Sequence, residues 1–468
     1  MKSPICLSRS QRVSFHHSPE SYQLVQNDDT QISLAEFCKQ CTPPHCSLSL
    51  FLFNGHLQTA WTQREEAKET IYYKRKIFES NHELYKGQFS VDFMVAPYVK
   101  DGTFSQAREG ERLPAHTEMF KAGEDVRFLS EKDSSPILLV LHGMSGGSDE
   151  PYIRRVLAAI SALDIQWTAC VVNFRGCAQS QLTTGYLYNG RATWDFRQIA
   201  NWLKQNFPNR PLFGVGFSIG ANVLTNVWLI HFHNQTDQDF QMRQYLGEEG
   251  EKCPLGAAVL VSNPWKLESA SHALQRSWIG TEIYAKILGY NMRDIVERNI
   301  DVITQELPIS RDSIQRIHYI QDFDRNVCLA YGQDSEIQCP TWGYAVEDAC
   351  YRDSSSADAM LAIRIPFLAL QAEDDPISTK DAIPYSEFRT SPFGVLCTTP
   401  GGGHLGWFGA GDRRWFVKPI TNFLSRIANS VNLEKSIEIN QSLFTERRMN
   451  SKYLGSYVYP QANGKCQH

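Results

Sequence analysis

The chain has 468 residues, 42% of them hydrophobic and 12% aromatic, which is enough apolar material for a large core. Its formal net charge of −5 argues against nucleic acid as a principal partner, and no apolar run reaches the roughly 18 residues that would mark a membrane-spanning helix. With no secretory leader visible, the 12 cysteines point to a reducing intracellular compartment in which most stay free.

In chain order, residues 1–35 are polar and read as mobile, within an N-terminal extension over 1–46. Lys2, Arg9 and Arg12 lack the amphipathic spacing of a presequence. Cys38 and Cys41, with His45 and Cys46, give half of a zinc-like spacing. So short a loop would strain four ligands and no second pair follows, so these cysteines read as structural. An apolar segment over 47–61, which contains the run Leu48 to Phe53, ends in the unusual Asn54-Gly-His-Leu-Gln-Thr59. Strands are expected over 70–77 and 88–95, and a charged surface insertion over 98–133.

From Ile137 the pattern becomes regular. Apolar strands over 137–142, 167–174, 212–217, 257–262, 366–372 and 394–399 alternate with helices over 151–163, 194–207, 219–232 and 412–429. That is an α/β fold with a mostly parallel sheet covered on both faces. Residues 264–363 interrupt the alternation with helices over 267–288 and 291–299, and read as a lid within a main domain over 47–430. The tail over 431–468 is polar, with no lipidation or retention motif.

Gly216-Phe-Ser-Ile-Gly220 follows an apolar strand and opens a helix, the arrangement that raises a nucleophilic serine above a sheet. A second Gly-x-Ser-x-Gly, Gly143 to Gly147, precedes Ser148-Asp-Glu-Pro151, a loop and helix start. Ser218 is therefore the candidate nucleophile and Ser145 part of an oxyanion loop. A serine hydroxyl needs a base, and the base an orienting acid. His404 follows the strand over 394–399 between glycines. The acid belongs in Glu373-Asp374-Asp375-Pro376, with Asp375 the choice, Asp374 its rival and Glu373 third. The backbone N–H groups of Ile219 and Met144 are the expected oxyanion donors, with Gly143 an alternative to Met144. His142 ends a buried strand and reads as structural; Arg175 orders a loop, and Cys177 lacks an elbow around it. Metal-ligand spacings, a P-loop and a strand-linked dinucleotide fingerprint are all missing, so no cofactor is implied.

Taken together, Asn54 to Thr59, His142 to Ser148, Asn173-Phe-Arg-Gly-Cys177, Gly216 to Gly220, Glu373 to Pro376 and Gly402-Gly-His-Leu-Gly406 resemble the AB hydrolase 4 family of the α/β-hydrolase superfamily over roughly residues 45–430. The resemblance implies an α/β-hydrolase fold, a serine esterase or lipase, and Ser218, Asp375 and His404 in the positions of the family triad. It also implies small lipid ester substrates, either medium-chain acyl esters or monoacylglycerols. Acyl transfer from acyl-CoA to an alcohol such as ethanol would run through the Ser218 acyl-enzyme, since no His-x-x-x-x-Asp motif is present. The N-terminal membrane helix of some members has no counterpart here. A peripheral protein of a lipid droplet, endoplasmic reticulum or mitochondrial surface is the expectation. Trp265, Trp278, Tyr284, Ile287 and Leu288 of the lid either line an acyl pocket or pack the lid onto the core. The alternatives are a dedicated acyl-CoA:alcohol O-acyltransferase and, behind it, a non-catalytic hydrolase-fold binding protein, although such proteins usually lose a triad member.

Overall fold

The computed structural model describes residues 8–450, except 66–67, 83–84, 99–112, 122–125, 127–133, 164, 227–252, 308, 329–343, 345 and 411–412. The chain opens with β1 (Ser8–Arg12), β2 (Ser14–His17), β3 (Gln23–Val25) and β4 (Gln31–Ser33). Next come β5 (His45–Ser49), β6 (Tyr72–Glu79), β7 (Gln88–Val95) and β8 (Thr117–Met119). The remaining strands are β9 (Ile137–Leu141), β10 (Thr168–Val172), β11 (Leu212–Phe217), β12 (Leu255–Val261), β13 (Phe367–Ala372) and β14 (Gly394–Thr399).

Ten of these strands form one sheet in the order β2-β14-β13-β12-β11-β9-β10-β7-β6-β8. From β14 to β10 every pairing is parallel, and β2, β7 and β6 join antiparallel. The run Ile-Leu-Leu-Val-Leu of β9 is buried at every position, as a strand covered on both faces must be. The covering helices carry apolar residues at helical spacing. Helix Val417–Ser430 buries Ile420, Phe423, Leu424 and Ile427, and helix Trp194–Asn206 buries Phe196, Ile199, Ala200 and Leu203. The carboxyl ends of all six parallel strands share one edge, where ligands bind in open α/β sheets.

Three expectations need correction. Residues 8–35 are not a mobile segment: β1 pairs with β5, and β2 extends the main sheet beside β14. Sheet edges recruit a strand through backbone hydrogen bonds, which a polar sequence supplies as well as an apolar one. Of the chain after 431, the described part is likewise built in. Helix Leu433–Asn450 docks on β3 through polar side chains: Ser436 Oγ accepts Val25 N–H at 2.9 Å, and Asn440 pairs with both backbone groups of Gln23.

In the interval between β12 and β13, the first helix stops at Arg276. Ser277 is extended and its hydroxyl accepts Gly280 N–H, starting a π-helix (Gly280–Ala285) that runs directly into Lys286–Arg298. Gly289 lets the Tyr319 backbone approach: a Cβ there would lie 2.4 Å from the Tyr319 carbonyl carbon. Much of the insertion expected over 98–133 lies outside the described residues, as does the 227–232 part of the helix expected over 219–232. Among the described residues, no helix is long and apolar enough to cross a membrane.

Candidate active site

β11 ends in an abrupt turn into helix Ile219–Asn226. Ser218, on that turn, has φ of 52°, a left-handed value that a residue with a Cβ adopts only at a cost. The flanking glycines are required by close approach. A Cβ at Gly216 would lie 2.6 Å from Ala221 Cα, and one at Gly220 would lie 2.4 Å from the His142 carbonyl oxygen. The turn raises Ser218 Oγ at the first turn of the helix, whose free N–H groups favour negative charge.

Two later loops complete the arrangement. His404, after β14, lies with Nε2 2.8 Å from Ser218 Oγ and Nδ1 2.8 Å from Asp375 Oδ2, on the loop after β13. Asp375 Oδ1 accepts the N–H groups of Ile377 and Ser378, each at 2.8 Å, so the carboxylate is fixed by its own turn. With Nδ1–H donating to Asp375, Nε2 is free to accept from the serine hydroxyl. The three side chains are nearly buried, which strengthens each contact relative to water.

Asp374 does not meet His404: its Oδ1 accepts Gly403 N–H at 2.9 Å, and burial, with the neighbouring Asp375 charge, raises its carboxyl pKa. Glu373 pairs with Lys380 at 2.7 Å on the surface. Ser145 Oγ donates to Met144 O at 2.7 Å, and its N–H donates to the Tyr188 hydroxyl at 2.8 Å. Gly143 N–H donates to the Tyr152 hydroxyl at 2.8 Å, so Gly143 is committed elsewhere. Between these two tied residues, Met144 N–H has no acceptor among the described residues, nor has Ile219 N–H at the helix start.

Below the loop lies a network that the sequence did not disclose. Asp92, fully buried on β7, takes the Arg75 guanidinium through both oxygens, the Ser148 hydroxyl and the Asn173 amide. Burial pushes its carboxyl up, but Arg75 and these hydrogen bonds outweigh that and hold it below the usual range. Tyr152 and Tyr188 gave no sequence signal either; each is a buried tyrosine whose hydroxyl must find a partner. His142 donates from Nδ1 to Gly143 O and accepts Phe174 N–H at Nε2, and burial lowers its pKa to about 4. Arg175 pairs with Asp195 through Nε and Nη2 and stacks on Tyr85, which orders the loop. Burial raises the Cys177 thiol to about 12 and the Cys41 thiol to about 11, while His45 is exposed beside buried Cys46.

The aromatic residues of the helical interval separate. Trp265 is fully buried, with its ring edge-on to Phe388. Trp278 is 73% exposed, and Tyr284 donates or accepts across a 2.9 Å contact to His56 Nδ1. Leu288 packs on the core, and Ile287 is exposed.

A serine turn of this kind on a central parallel sheet is the hallmark of one class of fold, the α/β-hydrolases. Residues 136–237 match the family model for the alpha/beta hydrolase fold. The chain is 32% identical to the monoacylglycerol lipase of Saccharomyces cerevisiae, over 85% of each protein. It is 28% identical to medium-chain fatty acid ethyl ester synthase/esterase 2 of the same yeast, over 86% of this chain and 91% of that one. Mouse phospholipase ABHD3 shares 27% identity over 59% of each chain. The chain belongs to the AB hydrolase 4 family of the α/β-hydrolase superfamily, and it is an ester hydrolase of the serine esterase and lipase kind.

Proposed function

We propose that this ester hydrolase cleaves monoacylglycerols or medium-chain acyl esters through an acyl-enzyme on Ser218. The observation that supports this most is the unbroken relay from Ser218 Oγ through His404 to Asp375, with both links at 2.8 Å. In this reading His404 Nε2 takes the Ser218 proton as Oγ attacks the acyl carbonyl, and Asp375 stabilises the resulting imidazolium. Met144 N–H and Ile219 N–H receive the developing oxyanion. His404 then returns the proton to the departing alcohol, and water, activated by the same imidazole, releases the acid. An alcohol in place of that water would give a new ester. The relative named as an ethyl ester synthase/esterase favours this as a second outcome of one site.

The reading extends to a lipid surface. Phe51 and Phe53 are 81% and 64% exposed, and Trp278 and Tyr290 are 73% and 59% exposed. The His56–Tyr284 contact joins the two segments that carry them. Exposed aromatic side chains in such number suit a protein that settles on lipid.

The test is labelling with a fluorophosphonate, followed by assay on medium-chain glycerol and ethyl esters with and without ethanol. Labelling abolished by Ser218→Ala and retained in Ser145→Ala is expected, together with ester cleavage. A folded wild-type protein that neither labels nor cleaves these esters would overturn the proposal.

A further inference from the structure

Among the described residues the Asn54 to Thr59 motif makes no hydrogen bond to Ser218 Oγ or the His404 imidazole, yet it lies against the loops that carry His404 and Asp375. Asn54 Oδ1 accepts Leu57 N–H at 2.9 Å and so starts helix Gly55–Thr62. Gly55 lies directly on the acid loop: a Cβ there would be 1.8 Å from the Asp374 carbonyl oxygen. Gln58, fully buried, donates to Leu52 O and Phe408 O and accepts Phe408 N–H at 2.7 Å. Thr59 completes the set. Its hydroxyl donates to Gly55 O at 2.7 Å and accepts the backbone N–H of His404 at 2.8 Å.

The histidine loop needs such a hold. Gly403, Leu405 and Trp407 all have positive φ, at 61°, 55° and 49°, and two of these three residues carry a Cβ. Backbone in that state persists only where its surroundings fix it. Gly403 fits between the motif and the acid loop: a Cβ on it would lie 2.4 Å from Gly55 O and 2.7 Å from Thr59 Oγ1. Gly403 N–H donates to Asp374 Oδ1 at 2.9 Å.

From this arrangement we infer that Thr59 is a positioning residue for His404, with Asp374 its counterpart at the preceding residue of the loop. The inference rests on the proposed role of His404 as the base that serves Ser218. The donation to Gly55 O orients the Thr59 hydroxyl so that its lone pairs face the loop. The His404 N–H is thereby anchored one residue away from the strained Gly403, and the imidazole is set at hydrogen-bonding distance from Ser218. Asp374 has a stated task in this scheme that is separate from the relay. Its carboxylate holds the neighbouring N–H, so the two aspartates grip successive residues of one loop.

The experiment compares Thr59→Val, Thr59→Ser and Asp374→Ala with wild type, using kcat and KM on a soluble medium-chain ester, the phosphonylation rate of Ser218 and the thermal midpoint. Valine keeps the shape of threonine and removes the acceptor. Thr59→Val is expected to lower kcat and the phosphonylation rate ~10- to 100-fold with KM within about 2-fold, since small misplacement of a catalytic group costs this much. Thr59→Ser is expected to recover most of that loss, and Asp374→Ala to lower kcat without changing KM. Wild-type kcat in Thr59→Val would overturn the inference. So would an equal loss in Thr59→Ser, since the hydroxyl that serine retains would then not be what holds the loop. Should Thr59→Val not fold, Thr59→Cys, with a weaker acceptor of similar size, is judged by the same criteria. A wild-type protein inert to the phosphonate and the ester would instead count against the catalytic reading itself.

Discussion

Asp374 and Asp375 are adjacent in the chain, and their carboxylates face different partners: Asp374 Oδ1 takes Gly403 N–H at 2.9 Å, while Asp375 Oδ2 meets His404 Nδ1 at 2.8 Å. The division predicts unequal consequences for the same isosteric change. Asp375→Asn presents an amide to the imidazole, favours the wrong tautomer and should lower kcat by ~10²- to 10⁴-fold. Asp374→Asn keeps an acceptor oxygen for Gly403 N–H and should cost less than about 10-fold. Steady-state kinetics on a soluble ester would check the pair, and equal losses in the two variants would remove the distinction.

The Tyr152 hydroxyl fixes the loop after β9 by accepting Gly143 N–H, one residue from the proposed Met144 donor. Tyr152→Phe keeps the ring against Phe217 and deletes only that acceptor. The expected outcome is a fall in kcat of about 10-fold or more with KM little changed, because a loosened oxyanion donor acts on the transition state. A raised KM at unchanged kcat would show that Tyr152 serves substrate binding instead.

These two cases mark what could be read from the sequence. The choice of Ser218 over Ser145 was legible because the helix starts at once after Gly220, whereas Gly147 leads into a loop. Asp375 and Asp374 could not be separated by spacing alone. The separating feature is local: Asp375 precedes Pro376, and its Oδ1 caps the turn through Ile377 and Ser378 N–H, which points Oδ2 at the histidine. Thr59 stood in a motif that was visible as unusual, but a hydroxyl reaching His404 across 345 positions leaves no periodic trace. Residues 8–17 and the helix from Leu433 misled for a different reason. Both are held by polar and backbone hydrogen bonds, whereas hydropathy reports only apolar burial.

His142 predicts a pH dependence of stability. Its imidazole is fully buried with Nε2 accepting Phe174 N–H, and its pKa falls to about 4 from the ordinary 6.5. Between those values the unfolded chain binds a proton that the folded one does not, so stability rises with pH through the window and is lost as pH falls. From this group alone, the protein should be less stable at pH 5 than at pH 7 by about 2 kcal/mol. Urea unfolding at the two pH values, compared with His142→Gln, isolates the effect. The variant should be weaker at pH 7 but show a smaller difference between the two, and an undiminished difference would assign the acid sensitivity elsewhere.

The exposed aromatic residues separate adsorption from chemistry. Phe51 and Trp278 are mostly in water, so Phe51→Asp and Trp278→Asp should change the thermal midpoint little. Transfer of one phenylalanine side chain out of water contributes about 1.5–3 kcal/mol, equivalent to ~10- to 100-fold in partitioning. If these side chains enter lipid, each substitution should weaken binding to neutral lipid emulsions by that order and lower the rate on emulsified monoacylglycerol. The rate on a dissolved short-chain ester should stay near wild type, because neither residue takes part in the Ser218–His404–Asp375 relay. Flotation of the protein with emulsion droplets, measured beside both rates, decides the matter. Unchanged flotation in the double variant would remove the lipid-surface reading, and parallel loss on both substrates would assign these residues to the site rather than to the surface.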